Sequence, residues 1–387
     1  MLFIHNFVIL KQKKVLLCTK IKLTLTMLNN FLAILIFGST ILLGIMLIAN
    51  PLKVNKKANR WFGALSILWS TFWLEEMLIM VTGNSIVLDS LLLIKPLQYL
   101  SPLVFYISVE HFTNPKYHIY NKASLRLMIP YLTLIVLEYS LYNEFKLIKV
   151  IFFTLFCFTY ILLSLLLIRK HKRDIQKFAS NTWEIDLGWL EYIVWIIFIL
   201  IIGVGIYNLT FFDAPLNVYM NTFIYGVILL TAYYSLKQKE VFPTDSLERE
   251  VALSSLGEQE RDVIQIKIMT DERLTELKLQ LNELIAKEEL YLEPDMNLGK
   301  MAKRLNISSH QLSYVINNGY NLTFNNFVNK FRVEKAKQLL VNRDLNRYSI
   351  VGIAYESGFN SKTSFNTMFK KITGQTPSEY KKINTVL

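Results

Sequence analysis

Cysteine is almost absent. The 387 residues hold two, Cys18 and Cys157, far apart in the chain. This excludes a disulfide framework and a thiolate zinc site, and fits a reduced, cytoplasm-facing protein. Histidine is nearly as scarce. His111, His118, His171 and His310 are scattered with no metal-ligand spacing. No Ser-His-Asp order, phosphate-binding motif or intramembrane-protease motif occurs, so no metal, cofactor or enzymatic reaction is expected. Charged residues are only 19% of the chain against 52% hydrophobic, with mean hydropathy +0.32 and a net charge of +12. Charge and apolar residues must therefore be segregated along the sequence.

The apolar residues lie between Leu28 and Leu236. Seven runs there are each long enough to cross a bilayer, near 28–49, 61–81, 93–110, 124–141, 148–168, 189–211 and 217–236. The third is interrupted by Lys95, Pro96 and Pro102. Lysine and arginine follow the first, third, fifth and seventh runs, whereas the second-to-third and sixth-to-seventh connections carry none; Lys146 and Lys149 in the fourth-to-fifth connection are the exception. This asymmetry predicts a multi-pass protein of the cytoplasmic (inner) membrane with its C-terminus in the cytoplasm. Residues 1–26 carry five lysines and no cleavage site comes after them. That charge would lie on the wrong side, so 1–26 is read as an extension separate from a membrane domain at 27–240, with Met27 a cleaner start. Glu75 and Glu76 are read either as a membrane site for a ligand or ion, or as carboxylates at the outer headgroup level. Asn208 is read as a polar contact between helices.

Residues 241–294 change character. From Asp245 to Pro294 there are thirteen Asp and Glu against six Lys and Arg. Leu274, Leu277, Leu281, Leu284 and Ile285 form a heptad-like stripe. It fits either a homodimeric coiled coil through 271–288 or an amphipathic helix packed on its own domain.

The balance reverses over 295–382, with fourteen Lys and Arg against five Asp and Glu, a charge suited to phosphate. Here helices, turns and caps repeat in two units, about 297–318 and 349–373. In the first, Asn297 caps a helix bearing Leu298, Met301, Ala302 and Leu305; Ser308 and Gln311 open the next with capping-box spacing. In the second, Ile350, Ile353 and Ala354 precede a glycine stop at Gly358, and then comes an inner face of Phe365, Met368, Phe369 and Ile372. Thr376-Pro377-Ser378-Glu379 opens a last helix. A helix from Thr323 to Val341, about 28 Å long, bridges the units; roughly 34 Å separates successive major-groove faces. The pattern suits paired helix-turn-helix DNA readers; a helical bundle with a wet surface is the plainer alternative.

Residues 295–382 also resemble the DNA-binding domain of the AraC/XylS family of bacterial transcription regulators. The resemblance rests on Ile350, Ile353, Ala354, Gly358, Phe359, Phe365, Phe369, Lys370, Gly374, Thr376, Pro377 and Tyr380, and on Arg332, Val333, Ala336, Leu339 and Leu340 in the bridging helix. It implies base contacts from His310, Gln311, Ser313 and Tyr314 in the first unit and from Lys362, Thr363, Asn366 and Thr367 in the second. With no arginine in those slots, an A/T-leaning site is expected, since Asn and Gln suit adenine and Thr can meet a thymine methyl. Arg304, Arg332, Arg347, Lys370 and Lys371 are candidate phosphate contacts.

The expectation is an all-α protein: a seven-helix transmembrane bundle, an acidic helical connector, and a bipartite helix-turn-helix domain at 295–387. Its implied partners are double-stranded DNA, the lipid bilayer, RNA polymerase and an unidentified signal ligand or membrane partner. Two rivals stand beside this regulator. One is a receptor or transporter whose basic tail binds a protein partner; the other is a membrane enzyme built on Glu75 and Glu76.

Overall fold

The computed structural model describes residues 2–83, 94–114, 116–119, 125–140, 146–182, 185–210, 216–241, 269–342 and 349–385. The fold is all-helical; among the described residues the only extended pairing is an isolated antiparallel bridge between Ala179 and Asn297. The chain divides into two compact units, one of 1–168 and 189–238, the other of 169–188 and 239–387. This differs from the division read from composition. The connection at 169–188 and the helix over 271–288 both belong to the C-terminal unit.

In the first unit α1 (Leu2–Ala49) is one continuous helix. Then come α2 (Lys56–Ser70), α3 (Leu74–Thr82), α4 (Ile94–Tyr99), α5 (Ser101–Thr113), α6 (Ile129–Ser140), α7 (Lys146–Ile175), α8 (Gly188–Thr210) and α9 (Val218–Lys237). Among the described residues, three stretches are long and apolar enough to cross a membrane: Thr19–Ala49, Leu147–Ile175 and Gly188–Thr210. A fourth is α2 and α3 taken together, bent by 43°. The second predicted run is thus broken in two, and the third is broken at Leu100, ahead of Pro102. Large apolar side chains stand exposed on the long helices, including Leu42, Ile45, Leu155, Leu162, Ile199 and Ile206.

The inward faces form local cores. Leu103, Tyr106, Leu134, Phe156 and Tyr160 join α5, α6 and α7; Ala33, Ile36, Trp73, Ile224 and Ile228 join α1, the start of α3 and α9. Between α1 and α2 the backbones almost touch. A Cβ on Gly63 would lie 2.7 Å from the Gly44 carbonyl oxygen, the close approach that small residues permit between membrane helices. Among the described residues the expected polar contact of Asn208 is not made, that residue being exposed on α8. Instead Trp73 Nε1 donates to Asn221 Oδ1 at 3.0 Å, and Asn221 Nδ2 donates to Asn29 Oδ1 at 3.0 Å. Glu75 and Glu76 occupy the first turn of α3, where carboxylates suit the helix dipole; Glu75 is exposed and Glu76 half-buried.

The second unit holds α10 (Asp271–Glu288), a short 3₁₀ turn at Leu290–Leu292, α11 (Leu298–Arg304), α12 (Ser309–Tyr320), α13 (Phe324–Val341), α14 (Ile350–Glu356), α15 (Lys362–Thr373) and α16 (Pro377–Thr385). The stripe of α10 is spent within this unit: Leu277, Leu281 and Ile285 are at most 3% exposed. Tyr320 of α12 donates its hydroxyl to Asn282 Oδ1 at 2.7 Å, and Lys278 Nζ lies 4.8 Å over the Tyr320 ring. Leu277, Leu281 and Ile285 thus pack within the domain, as an amphipathic helix on its own domain would, while Leu274 and Leu284 are half-buried.

Candidate nucleic-acid interface

Each helix of the C-terminal unit begins at a side-chain cap. Asn297, Ser308, Thr323, Ser349 and Ser361 accept from the backbone N–H of Lys300, Gln311, Asn326, Gly352 and Ser364. These bonds satisfy amides that have no partner within their helix. The last helix opens with a reciprocal pair: Thr376 N donates to Glu379 Oε2 at 2.8 Å, and Glu379 N to Thr376 Oγ1 at 3.3 Å. This contact with the Thr376 backbone holds the Glu379 carboxyl below its ordinary pKa. Glycine supplies the stop between α14 and α15. Gly358 has φ +85°, and a Cβ there would lie 2.5 Å from the Tyr291 carbonyl oxygen, so both backbone conformation and space demand glycine.

Two helix-turn-helix pairs result, α11–α12 and α14–α15, joined by α13, whose 18 residues span about 27 Å. The second pair packs on α13 through Val333, Ala336, Leu340, Ile353, Ala354, Phe359, Phe365 and Phe369, all at most 1% exposed. Leu312, Val315 and Ile316 seat α12. These buried positions fix which faces of α12 and α15 look outward.

On α12, His310 is exposed while Ser313 and Tyr314 are half-buried. Gln311 is drawn into the capping box, its Oε1 accepting from Ser308 N at 3.0 Å, so that oxygen is not held ready for a base edge. On α15, Lys362, Thr363 and Thr367 are exposed and Asn366 half-buried, with Thr363 and Thr367 on the face opposite Phe365 and Phe369. Ile372, expected inside, is 38% exposed, because the helix ends at Gly374 before the core reaches it.

The candidate phosphate contacts separate. Lys370 is exposed on α15. Lys371 Nζ donates to Asn326 Oδ1 at 3.1 Å, and Arg304 pairs with Glu288 at 3.5 Å. Arg347 lies outside the described residues. Arg332 must be corrected. It is 1% exposed. Its Nε donates to the Tyr291 carbonyl at 2.6 Å, and its Nη2 donates to the Glu293 carbonyl at 2.7 Å and to Ser180 Oγ at 3.1 Å. Burial lowers its pKa to about 10, which leaves it charged at neutral pH. Its guanidinium holds the domain together and cannot reach a phosphate. Sequence reasoning missed it because a buried arginine and a surface one look alike on an amphipathic helix.

It also missed the segment after α7. Phe178, Ala179 and Ser180 are at most 8% exposed. The Phe178 carbonyl accepts from Leu298 N at 2.9 Å, and the Gln176 carbonyl from Asn325 N at 3.0 Å. These are amides in the first turns of α11 and α13. Asn325 Nδ2 donates to the Ser180 carbonyl at 2.7 Å and Asn329 Nδ2 to the same oxygen at 3.2 Å. No local pattern in 169–188 points to a partner more than a hundred residues away.

A helix-turn-helix domain family model matches residues 301–383. An uncharacterised HTH-type transcriptional regulator from the cgkA 5' region of Pseudoalteromonas carrageenovora is 34% identical over 97 residues, which is 24% of this chain and 55% of that protein. Uncharacterised HTH-type transcriptional regulators of Staphylococcus aureus strains COL and MSSA476 are each 31% identical over 102 residues, covering 26% of this chain and 13% of theirs. The chain thus spans little more than half of one relative and a small part of the others. No solved structure matches the chain. Residues 301–383 of this protein form a helix-turn-helix domain.

Proposed function

We propose that the chain is a membrane-bound, sequence-specific DNA-binding transcription regulator that couples a membrane or extracellular signal to gene expression. The observation that carries this is the pair of capped helix-turn-helix units on one bridging helix, with the polar and basic residues of α12 and α15 turned outward, on a chain that also holds helices of membrane-spanning length. In this reading seven segments cross the inner membrane and the C-terminal unit lies in the cytoplasm, where DNA is. His310, Ser313, Tyr314, Lys362, Thr363, Asn366 and Thr367 contact bases, Lys370 contacts phosphate, and RNA polymerase and a signal ligand are further partners. Neither an enzymatic reaction nor a cofactor enters this account.

The test is selection from a random DNA library by the full-length protein in nanodiscs, at two salt concentrations. A two-part motif with half-sites one helical turn apart is the expected result. Salt-sensitive binding without a motif would mark a basic surface that only attracts polyanions. It would move the reading to a membrane receptor or transporter with a protein partner.

A further inference from the structure

The bridging helix presents Asn325, Asn329 and Arg332 on one face, at most 6% exposed. Three polar side chains buried together are costly unless every group finds a partner. Here most partners come from residues 176–180. The Ser180 carbonyl accepts from both asparagines, the Ala179 carbonyl from Asn325 at 3.2 Å, and Ser180 Oγ from Arg332. The same five residues supply carbonyls to the starts of α11 and α13 and pair antiparallel with Asn297, the cap of α11. The unit that reads DNA is therefore incomplete without a segment that precedes it by more than a hundred residues.

That segment is not joined to α7 by a slack linker. Lys177 N donates to the Asp174 carbonyl and both Phe178 N and Ala179 N to the Ile175 carbonyl, at 3.0 to 3.3 Å, so the end of α7 winds directly into it. Its return limb is tied too, with His171 Nε2 3.0 Å from the Ile185 carbonyl. We infer that residues 176–180 are a clasp through which α7 sets the DNA affinity of the C-terminal unit: seated, they fix α11 against α13 and so fix the reading helix α12; withdrawn, they leave the Leu298 and Asn325 amides and the side-chain N–H groups of both asparagines without acceptors. This rests on the DNA-binding reading above.

The test uses full-length protein in nanodiscs and the sequence it selects from random DNA. Four forms are compared: wild type, Asn325→Ala with Asn329→Ala, that double variant carrying Ala179→Cys and Asn297→Cys with Cys18 and Cys157 replaced by serine, and the same cysteine pair without the asparagine changes, which reads the loss of the Asn297 cap by itself. Residues facing each other across an antiparallel bridge lie within the Cα separation a disulfide needs. The double variant is expected to lose about tenfold or more in affinity. The amides of Leu298 and Asn325 should lose exchange protection while those of α15 keep theirs. Oxidation of the double variant's cysteine form should restore the affinity that its reduced form lacks. Unchanged affinity in the double variant and in Ser180→Arg, whose added charge cannot sit beside Arg332, overturns the inference while the DNA-binding reading stands. So does a loss that oxidation fails to restore, which would trace to damage in α13. A wild type that selects no sequence sinks the DNA-binding reading and the clasp with it.

Discussion

Gly44 and Gly63 meet across α1 and α2 with no room for a side chain on either: a Cβ on Gly44 would lie 2.8 Å from the Gly63 carbonyl oxygen, and one on Gly63 would lie 2.7 Å from that of Gly44. Backbone meets backbone, so neither partner can give way by a rotamer change. Replacing Gly63 by alanine is expected to cost about 1–3 kcal/mol, as overpacking of a tight interface does. Thermal unfolding of the full-length protein in detergent would show it. Alanine at Gly226, which faces open space, should leave the transition where it was.

Gly358 and Gly374 separate two costs that usually arrive together. Both have positive φ, +85° and +79°. A Cβ at Gly374 meets nothing within 4 Å, whereas one at Gly358 strikes the backbone of Tyr291 and Leu292. Gly374→Ala should cost about 1 kcal/mol, the strain of a left-handed conformation. Gly358→Ala should cost clearly more, because it adds a collision with backbone. Equal shifts in denaturant midpoint would mean that the 3₁₀ turn yields to the added methyl.

The burial of Arg332 makes a distinction between holding and reading. Arg332→Met is expected to destabilise the C-terminal unit by about 2–4 kcal/mol, leaving the Tyr291 carbonyl without a donor and the Glu293 carbonyl with only Met296 N. Arg332→Lys should recover little, since one ammonium cannot reproduce the guanidinium fork. In whatever protein still folds, the salt dependence of DNA affinity should match wild type. A reduced salt slope would return Arg332 to the phosphate contacts.

The outward residues of α15 should divide by role. Asn366→Ala is expected to relax discrimination at one base position by about 1–3 kcal/mol while binding to unrelated DNA stays constant. Lys370→Ala should weaken binding to every sequence and lower the salt slope by about one. The selected site should lean toward A/T; a G/C-rich consensus would show that other side chains do the reading.

Acid should loosen the unit through specific carboxylates. Lys335 and Tyr291 hydrogen-bond Glu289 and hold its pKa below the ordinary value, and the start of α16 does the same for Glu379. A carboxyl with a depressed folded pKa contributes stability above its unfolded pKa and loses it as pH falls through the folded one. Stability should therefore be flat near neutrality and decline below about pH 4. Glu289→Gln and Glu379→Gln should each make the decline shallower; an unchanged profile would place the acid-sensitive groups elsewhere.

Much of the C-terminal unit was legible because its signals are local. Ser308 with Gln311, Thr376 with Glu379, Thr323 before α13 and Gly358 between α14 and α15 each act within a few residues, and each stands where its spacing predicted. The stripe of Leu277, Leu281 and Ile285 announced an amphipathic helix but not its partner, since apolar periodicity is the same whether the facing surface belongs to this domain or a second copy. The apolar unit was less legible. Long apolar runs fix composition, not continuity: a break at Thr71–Trp73 divides one run, and α1 continues through the lysines that suggested a separate extension. The role of Ser180 left no trace at all, because a serine bonded to a distant arginine has the same neighbours in sequence as any loop serine.

The proposed clasp also bears on whether the C-terminal unit could be released from the rest of the chain. The chain enters that unit twice, at 169–188 and again after 239, so a single proteolytic cut between 242 and 268 severs only one of two attachments. After such a cut the unit would still be held by the carbonyls of Gln176, Phe178, Ala179 and Ser180 and by the grip of Arg332 on Ser180 Oγ. Liberation would need a second event that empties the clasp, and the freed fragment would carry away the Leu298 and Asn325 amides without their acceptors. On the function proposed above, an architecture threaded in this way favours a regulator that works in place, with promoters brought to it rather than a messenger sent from it.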